Sequence, residues 1–402
     1  MRYQRVPTPL ITTHARIQPR VLRPVVMHAV REYLPLTENW IYEQIRQASG
    51  FFPLVVCDER SNTADFPLAD IHAADDHALS GPIDFVNKVH RRLAYANWPG
   101  AYRGVVKRYH PQLIHAHFGD RGVLMLGTAM KYNIPMVTTF YGYDVSKLPL
   151  EEKWVPRLKW LFEHGDLFLA EGPCLRQKLI EIGCPPEKAR VHHLGVDVRN
   201  IPFQARTAPD GPVKVLMAAS FREKKGLRYG LEAFARVANR RKGQLQLTII
   251  GDGPLKQELR DLAKEYGVQH QIRWLGYQPH DVFLKEALEA HLFISPSVVA
   301  SDGDTEGGAP VAIIEAQATG LPILATTHAD IPEVTRPGKS AFLVPERDVE
   351  ALEERLEYLL DHHEIWASMG AAGRKYVQNE FNASEQGKRL EAIYREVMRR
   401  GR

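Results

Sequence analysis

An alternation that runs twice through this 402-residue chain constrains its fold more than any other feature. Short runs rich in β-branched residues are separated by longer segments with helical apolar spacing. That is the pattern of parallel sheets covered by helices. The first series of strand candidates spans residues 25–29, 52–56, 113–115, 136–139 and 167–170. The second spans 213–219, 245–250, 272–275, 292–295, 322–325 and 341–344. Between the two lies 197–212, a polar segment carrying Pro202, Pro209, Gly211 and Pro212, and its composition reads as a linker. A chain of this length outgrows one ordinary core, so two α/β domains with parallel sheets are the expectation. The expected partition is 1–205, 206–375 and a last helical segment, 376–402, in which Leu390, Ile393, Tyr394 and Val397 share one face.

Composition removes several classes. Apolar and charged fractions of 44% and 25% belong to a globular protein, not to a disordered or fibrous one. No stretch approaches the roughly 20 consecutive apolar residues of a spanning helix. The Arg-rich N-terminus lacks the apolar core of a secretory signal. Cys57, Cys174 and Cys184 are too few for a disulfide framework and lack metal-ligand spacing. A cytoplasmic location is expected, with a peripheral position at the inner face of the membrane as an extension of it.

That extension comes from the distribution of charge, because the net value is only +4. Arg2, Arg5, Arg16, Arg20, Arg23 and Arg31 all precede the first acidic residue, Glu32. Residues 85–119 contain no acid but carry Lys88, Arg91, Arg92, Arg103, Lys107 and Arg108, interleaved with Tyr95, Trp98, Tyr102 and Tyr109. Such a stretch suits an anionic membrane surface or a polyphosphate-bearing acceptor. A solvated helical face has the same composition. Nucleic acid is not an expected partner, since no binding motif accompanies the charge.

Chemistry concentrates in 304–316, where Asp304, Thr305 and Glu306 precede Gly307, Gly308, Ala309 and Pro310. Two glycines let backbone approach a ligand, and the apolar run after them predicts a helix starting near Pro310. Proline is tolerated at the first helical position because its missing N–H would be unpaired there. The remaining free N–H groups of such a terminus attract an anion such as a diphosphate. Glu315, one to two turns inside, could accept from ribose hydroxyls, and Glu306 from hydroxyls of a sugar. A capped structural helix with a Gly-rich entry remains the plain alternative. Two weaker motifs carry less. Gly251-Asp252-Gly253 begins a dinucleotide fingerprint, but Lys256 stands where the third glycine belongs, so NAD is not expected. A lone Asp302-Gly303-Asp304 does not predict a metal when a basic cleft can neutralise a diphosphate.

The 304–316 segment resembles the Glu-rich donor-site motif of retaining glycosyltransferases of the GT-B fold, specifically family 4. Ile249-Ile250-Gly251-Asp252-Gly253-Pro254-Leu255, Trp274-Leu275-Gly276-Tyr277, Ile294-Ser295-Pro296-Ser297 and Thr319-Gly320-Leu321-Pro322 follow the same family in the same order. The resemblance implies two Rossmann-like doubly wound domains facing across a cleft, with the last helix crossing back to the first domain. It implies that Lys225 contacts the donor phosphates and that Gly276, Gly307, Gly308, Ala309, Val311 and Glu315 line the donor site. The family has an arginine where this chain has Ser220, and Arg222 is the candidate replacement. It also spaces its paired glutamates one residue closer than Glu306 and Glu315, so the extra residue lies within 307–309.

The first half resembles the branch that builds bacterial surface polysaccharides, including colanic-acid-type transferases. Tyr33-Leu34-Pro35-Leu36-Thr37-Glu38-Asn39-Trp40 is similar to its acceptor-side loop, and Ile114-His115-Ala116-His117-Phe118-Gly119 to its strand-end histidine pair. Thr139-Phe140-Tyr141-Gly142-Tyr143-Asp144 resembles a loop in which relatives carry histidine where Tyr141 stands. The implied catalytic set is His117, Lys225 and Glu306, with Thr37, Glu38 and Asp144 on the acceptor side. The implied reaction moves a sugar, with retained configuration, from a nucleotide diphosphate sugar to a saccharide or lipid-linked oligosaccharide acceptor. No cofactor and no metal are expected. A nucleotide-sugar epimerase of the same fold, and a non-catalytic sugar-nucleotide or membrane-surface binding protein, are the alternatives.

Overall fold

The computed structural model describes residues 23–73 and 102–401. Two parallel sheets organise them. The first runs, edge to edge, Ile71–Ala73, Phe52–Cys57, Val25–Ala29, Leu113–His117, Met136–Phe140, Leu167–Ala170 and Ala189–Val191. The second runs Ile272–Gly276, Leu245–Ile250, Val213–Ala218, Leu292–Ser295, Ile323–Thr326 and Ala341–Val344. Both keep the doubly wound order, in which the chain starts near the middle, moves to one edge and returns to build the other. The order reverses between Val25–Ala29 and Leu113–His117 in one sheet, and between Val213–Ala218 and Leu292–Ser295 in the other. Ligands of such sheets bind at the carboxyl ends of the strands beside that reversal.

Helix Leu227–Arg240 shows how sequence pattern becomes packing. Leu227, Leu231, Phe234 and Ala238 are buried in one core with Val215, Leu247 and Ile294 of the sheet. Its opposite side carries Arg236 and Arg240, which pair with Glu353 on the neighbouring helix Val349–Asp361. Deleting a buried ring such as Phe234 would cost about 3–5 kcal/mol in lost contacts and cavity. The exposed ion pairs contribute roughly 1 kcal/mol or less apiece.

The last helix, Ala383–Arg400, belongs to the first domain by packing although it ends the chain. Leu390, Ile393, Tyr394 and Val397 are buried with Val26, Leu113, Val137 and Leu169 of the first sheet. Two passages of chain therefore join the domains, and they lie side by side. The Val196 N–H donates to the Phe381 carbonyl at 2.8 Å, and the Ala383 N–H to the Val196 carbonyl at 3.0 Å. A side chain on Gly195 would run into Ala383, which keeps the two strands in contact.

Candidate active site

The donor side is built on the second sheet's carboxyl edge. Strand Val213–Ala218 opens into a turn at Glu223–Lys225, and Gly226 adopts φ 60°, where a Cβ would strike the Pro296 carbonyl. The turn aims Lys225 at the Gly-rich loop. Its Nζ lies 2.6 Å from Glu306 Oε2, while Ser297 Oγ donates to Glu306 Oε1 at 2.8 Å. Lys224 Nζ donates to Asp304 Oδ1 at 3.2 Å and to the Thr305 carbonyl at 3.0 Å. Burial would raise the Glu306 carboxyl, but Lys225, Lys224 and Ser297 together hold it below its ordinary value. Glu306 is therefore a buried carboxylate that accepts and does not donate.

Helix Val311–Thr319 starts one residue later than expected, with Pro310 as its N-cap at φ −59° and ψ 124°. The proline nitrogen still leaves no donor unpaired there. The Gly307 N–H is spent on Thr305 Oγ1 at 2.9 Å. Those of Gly308, Ala309 and Val311 donate no hydrogen bond among the described residues. Farther in, Glu315 is buried and its Oε1 lies 2.6 Å from His280 Nε2. Burial opposes protonation of His280, yet the Glu315 contact raises it above its ordinary value. Gly276 closes its strand at φ 70°, with Tyr277 exposed beyond it. Arg222 is exposed at the mouth of the turn and makes no side-chain hydrogen bond among the described residues.

Two residues that the sequence reading passed over hold the loop. His328 Nε2 accepts the Glu306 N–H at 3.2 Å, and His328 Nδ1 donates to Glu346 Oε1 at 2.6 Å. The first bond requires an unprotonated Nε2, so the two together fix one neutral tautomer. A signal was present only in hindsight: His328 lies two residues past a strand end.

On the facing domain, His117 ends strand Leu113–His117 but does not open onto free space. It is fully buried. Its Nε2 lies 3.1 Å from His28 Nδ1, and its Nδ1 lies 2.8 Å from the Tyr141 hydroxyl, which donates to Gln44 at 3.3 Å. Burial, with His28 nearby, holds His117 well below its ordinary value, so it is neutral. The Tyr141 ring lies parallel to that of His117, with centroids 6.1 Å apart. Reach from His117 to a ligand in this conformation runs through Tyr141. His115 is engaged likewise, with Tyr394 at 2.6 Å and Thr139 at 2.7 Å.

Asp144 is also fully buried, and it accepts backbone N–H groups from Gly119, Tyr141 and Gly142 at 2.9, 3.0 and 2.9 Å. Its oxygens shape the loop through these three bonds. Thr37 is exposed and Glu38 half-buried on the turn Leu36–Glu38. Burial, then Glu32 and Asp120, raise Glu38 to about 7.

The two sides meet. Gly142 and Gly307, both at positive φ, lie backbone against backbone, and a Cβ on either would overlap the other's loop. Lys147 Nζ reaches Asp302 Oδ2 at 2.6 Å and Ser146 Oγ reaches Asp304 Oδ1 at 3.3 Å. Both aspartates of the Asp-x-Asp segment thus face ammonium or hydroxyl groups. Beside this contact a cavity of about 300 Å³ opens between the domains, lined by Trp40, Arg46, Asp197, His280, Val311 and Glu315 among others. That volume lies at the lower end of ligand pockets. Of the basic stretches, Arg23, Arg31, Arg103, Lys107 and Arg108 are described; Arg2, Arg5, Arg16, Arg20, Lys88, Arg91 and Arg92 lie outside the described residues. No helix among the described residues is long and apolar enough to cross a membrane.

Two doubly wound domains with their carboxyl edges apposed, and a Gly-rich helix entry flanked by a lysine and two glutamates, define a glycosyltransferase of GT-B architecture. Comparison with known proteins gives the family. The profile of the glycosyl transferases group 1 matches residues 198–376, and that of glycosyltransferase family 4 matches 38–200. A Salmonella typhimurium protein named as a colanic acid biosynthesis glycosyltransferase, WcaL, is 34% identical over 70% of this chain and 70% of its own. The amylovoran biosynthesis glycosyltransferase AmsK of Erwinia amylovora is 32% identical over 69% of this chain and 68% of its own. The Anabaena protein Alr3699/HepE, solved with UDP and glucose, superposes with a TM-score of 0.75 at 14% identity, covering 93% of this chain and 100% of its own. The chain belongs to the family 4 (group 1) glycosyltransferases.

Proposed function

We propose that the protein transfers a hexose, with retained anomeric configuration, from a nucleoside diphosphate sugar to a saccharide acceptor in bacterial surface polysaccharide assembly. The observation that carries this reading is the unpaired trio of amides, Gly308, Ala309 and Val311, beside Lys225. Amides at a helix terminus and an adjacent ammonium group form a seat for a diphosphate. Relatives named for colanic acid and amylovoran synthesis support the polysaccharide assignment, and the complex of Alr3699/HepE with UDP and glucose supports the donor class.

In this mechanism the arriving diphosphate takes Lys225 from Glu306. The freed carboxylate then accepts a hydroxyl of the hexose. As the bond from the anomeric carbon to the phosphate oxygen breaks, the amides and Lys225, with Arg222 at the mouth, stabilise the charge on the leaving group. The acceptor hydroxyl attacks the same face, and its proton passes to the departing phosphate oxygen. Glu315 and His280 hold the ribose, and His117 orients the Tyr141 hydroxyl. No metal enters these steps. The acceptor is a growing saccharide, with a lipid diphosphate anchor at the inner membrane face attracted by the basic stretches.

A thermal-shift screen of uridine, guanosine and adenosine diphosphate sugars tests the reading, because a ligand of the native state alone raises its melting temperature. One class of donor should stabilise the protein, and Lys225→Ala and Glu315→Ala should each weaken its binding with folding intact. No stabilisation by any donor, or a product of inverted configuration by NMR, would overturn it.

A further inference from the structure

Glu171 follows strand Leu167–Ala170 at the first sheet's carboxyl edge, with its carbonyl accepting from His193 Nδ1 at 2.7 Å. Its side chain crosses to the other domain and lies against Gly308. A Cβ on that glycine would overlap Glu171 Oε2 and stand 3.0 Å from its Cβ and 3.1 Å from its Cδ. The carboxyl group makes no hydrogen bond among the described residues. A carboxyl that reaches across from the other domain to lie against Gly308, and makes no hydrogen bond of its own among the described residues, is placed to meet a ligand at the diphosphate seat.

We propose that Glu171 completes the sugar pocket from the first domain, its carboxyl group donating a hydrogen bond to a hydroxyl of the transferred hexose. The proposal rests on the donor-site reading above. Burial, then Asp330, Asp144 and Glu306, raise this carboxyl well above the usual range, and Lys225 only partly offsets them. A carboxyl so raised favours its protonated form, which carries one O–H donor, whereas Lys225, Lys224 and Ser297 favour the ionised form of Glu306, which only accepts. The two glutamates give the hexose one donor and one acceptor from opposite domains. Because one partner comes from each side, the pair is complete only when the cleft is shut.

The test compares Glu171→Gln and Glu171→Ala with the wild-type chain by calorimetry. The probes are bare UDP and GDP, and UDP-glucose, UDP-galactose, GDP-mannose and GDP-fucose. Bare diphosphate should bind all three proteins alike, which also shows that the variants fold. Glu171→Ala should lose about tenfold or more in affinity for the nucleotide sugar, as expected when a hydrogen-bond partner is removed. Glu171→Gln should restore most of it, because its amide N–H replaces the acid O–H. Equal affinity of wild type and Glu171→Ala for the nucleotide sugar would overturn the proposal. So would a Gln variant as weak as Ala, since its amide still offers a donor, or equal losses for sugar-bearing and bare nucleotides. Failure of the wild type to bind any probe would sink the donor-site reading itself.

Discussion

Asp330, in the second domain, caps a helix of the first: its Oδ1 accepts the Cys174 N–H at 2.7 Å and its Oδ2 the Leu175 N–H at 3.2 Å. Helix Pro173–Glu181 has no side-chain cap of its own, and Gly172 leaves the room that Asp330 fills. The orphan donors of one domain's helix are thus satisfied only by contact with the other. Asp330→Ala should remove about 1 kcal/mol from the closed form. We expect kcat to fall several-fold and solution scattering to show a larger radius of gyration. Affinity for bare nucleotide diphosphate should stay near wild type. An unchanged radius and kcat would show that the cap does not govern closure.

Gly142 tests closure from the other side. Its φ of 129° and its contact with the Glu306 carbonyl and Gly307 Cα leave no place for a methyl group. Gly142→Ala should strain the loop by about 1–3 kcal/mol and hold the domains apart. Steady-state assays should show kcat reduced by roughly two orders of magnitude, the consequence of losing alignment across a cleft. Full activity in this variant would mean that the apposition seen here is not the reactive one.

The Lys225–Glu306 pair predicts a pH signature. Glu306 is held below its unfolded value, so its stabilising contribution is present above about pH 4.5 and is lost as pH falls through the folded value. Removing the ammonium group in Lys225→Ala leaves a buried carboxylate beside only Lys224 and Ser297. The deficit should be about 3 kcal/mol at pH 8 and shrink by pH 5, where the stranded carboxyl can take up a proton. Thermal melts at both pH values check this, and adding Glu306→Gln should recover much of the loss. A deficit independent of pH would contradict it.

Glu38 carries the opposite sign. Its folded value of about 7 exceeds the unfolded value, so its favourable contribution is present below about pH 4.5 and disappears as pH rises through 7. Glu38→Gln should therefore raise the melting temperature at pH 8, by the equivalent of about 1–3 kcal/mol, and change it little at pH 5. Equal effects at both pH values would remove the assignment of a carboxyl titrating near neutrality.

Much of the architecture was legible in the chain because apolar runs bounded by turn residues report strands directly. All eleven strand candidates have a counterpart in the two sheets. The strands Ile71–Ala73 and Ala189–Val191 escaped notice because three residues at a sheet edge show no periodicity. Local motif chemistry pointed to Glu306 and Glu315, and the family resemblance added Lys225; all three lie on one side of the cleft. Neither could reveal contacts made between distant parts of the chain. Asp330 as a cap, Glu171 beside Gly308 and Tyr141 beside His117 each depend on two loops that meet only after both domains have formed. The His-Ala-His pattern correctly marks a strand end, but what stands beside it is decided by another strand.

The paired crossings at Val196 and Asn382 have a mechanical consequence. A single tether would let two bodies twist and slide, and each encounter would be a search. Two abutting strands act instead as a door's pin, permitting swing about one line while resisting rotation and translation about the others. Reactive groups divided between the leaves therefore return to the same register at every stroke, and turnover need not wait for the halves to find one another.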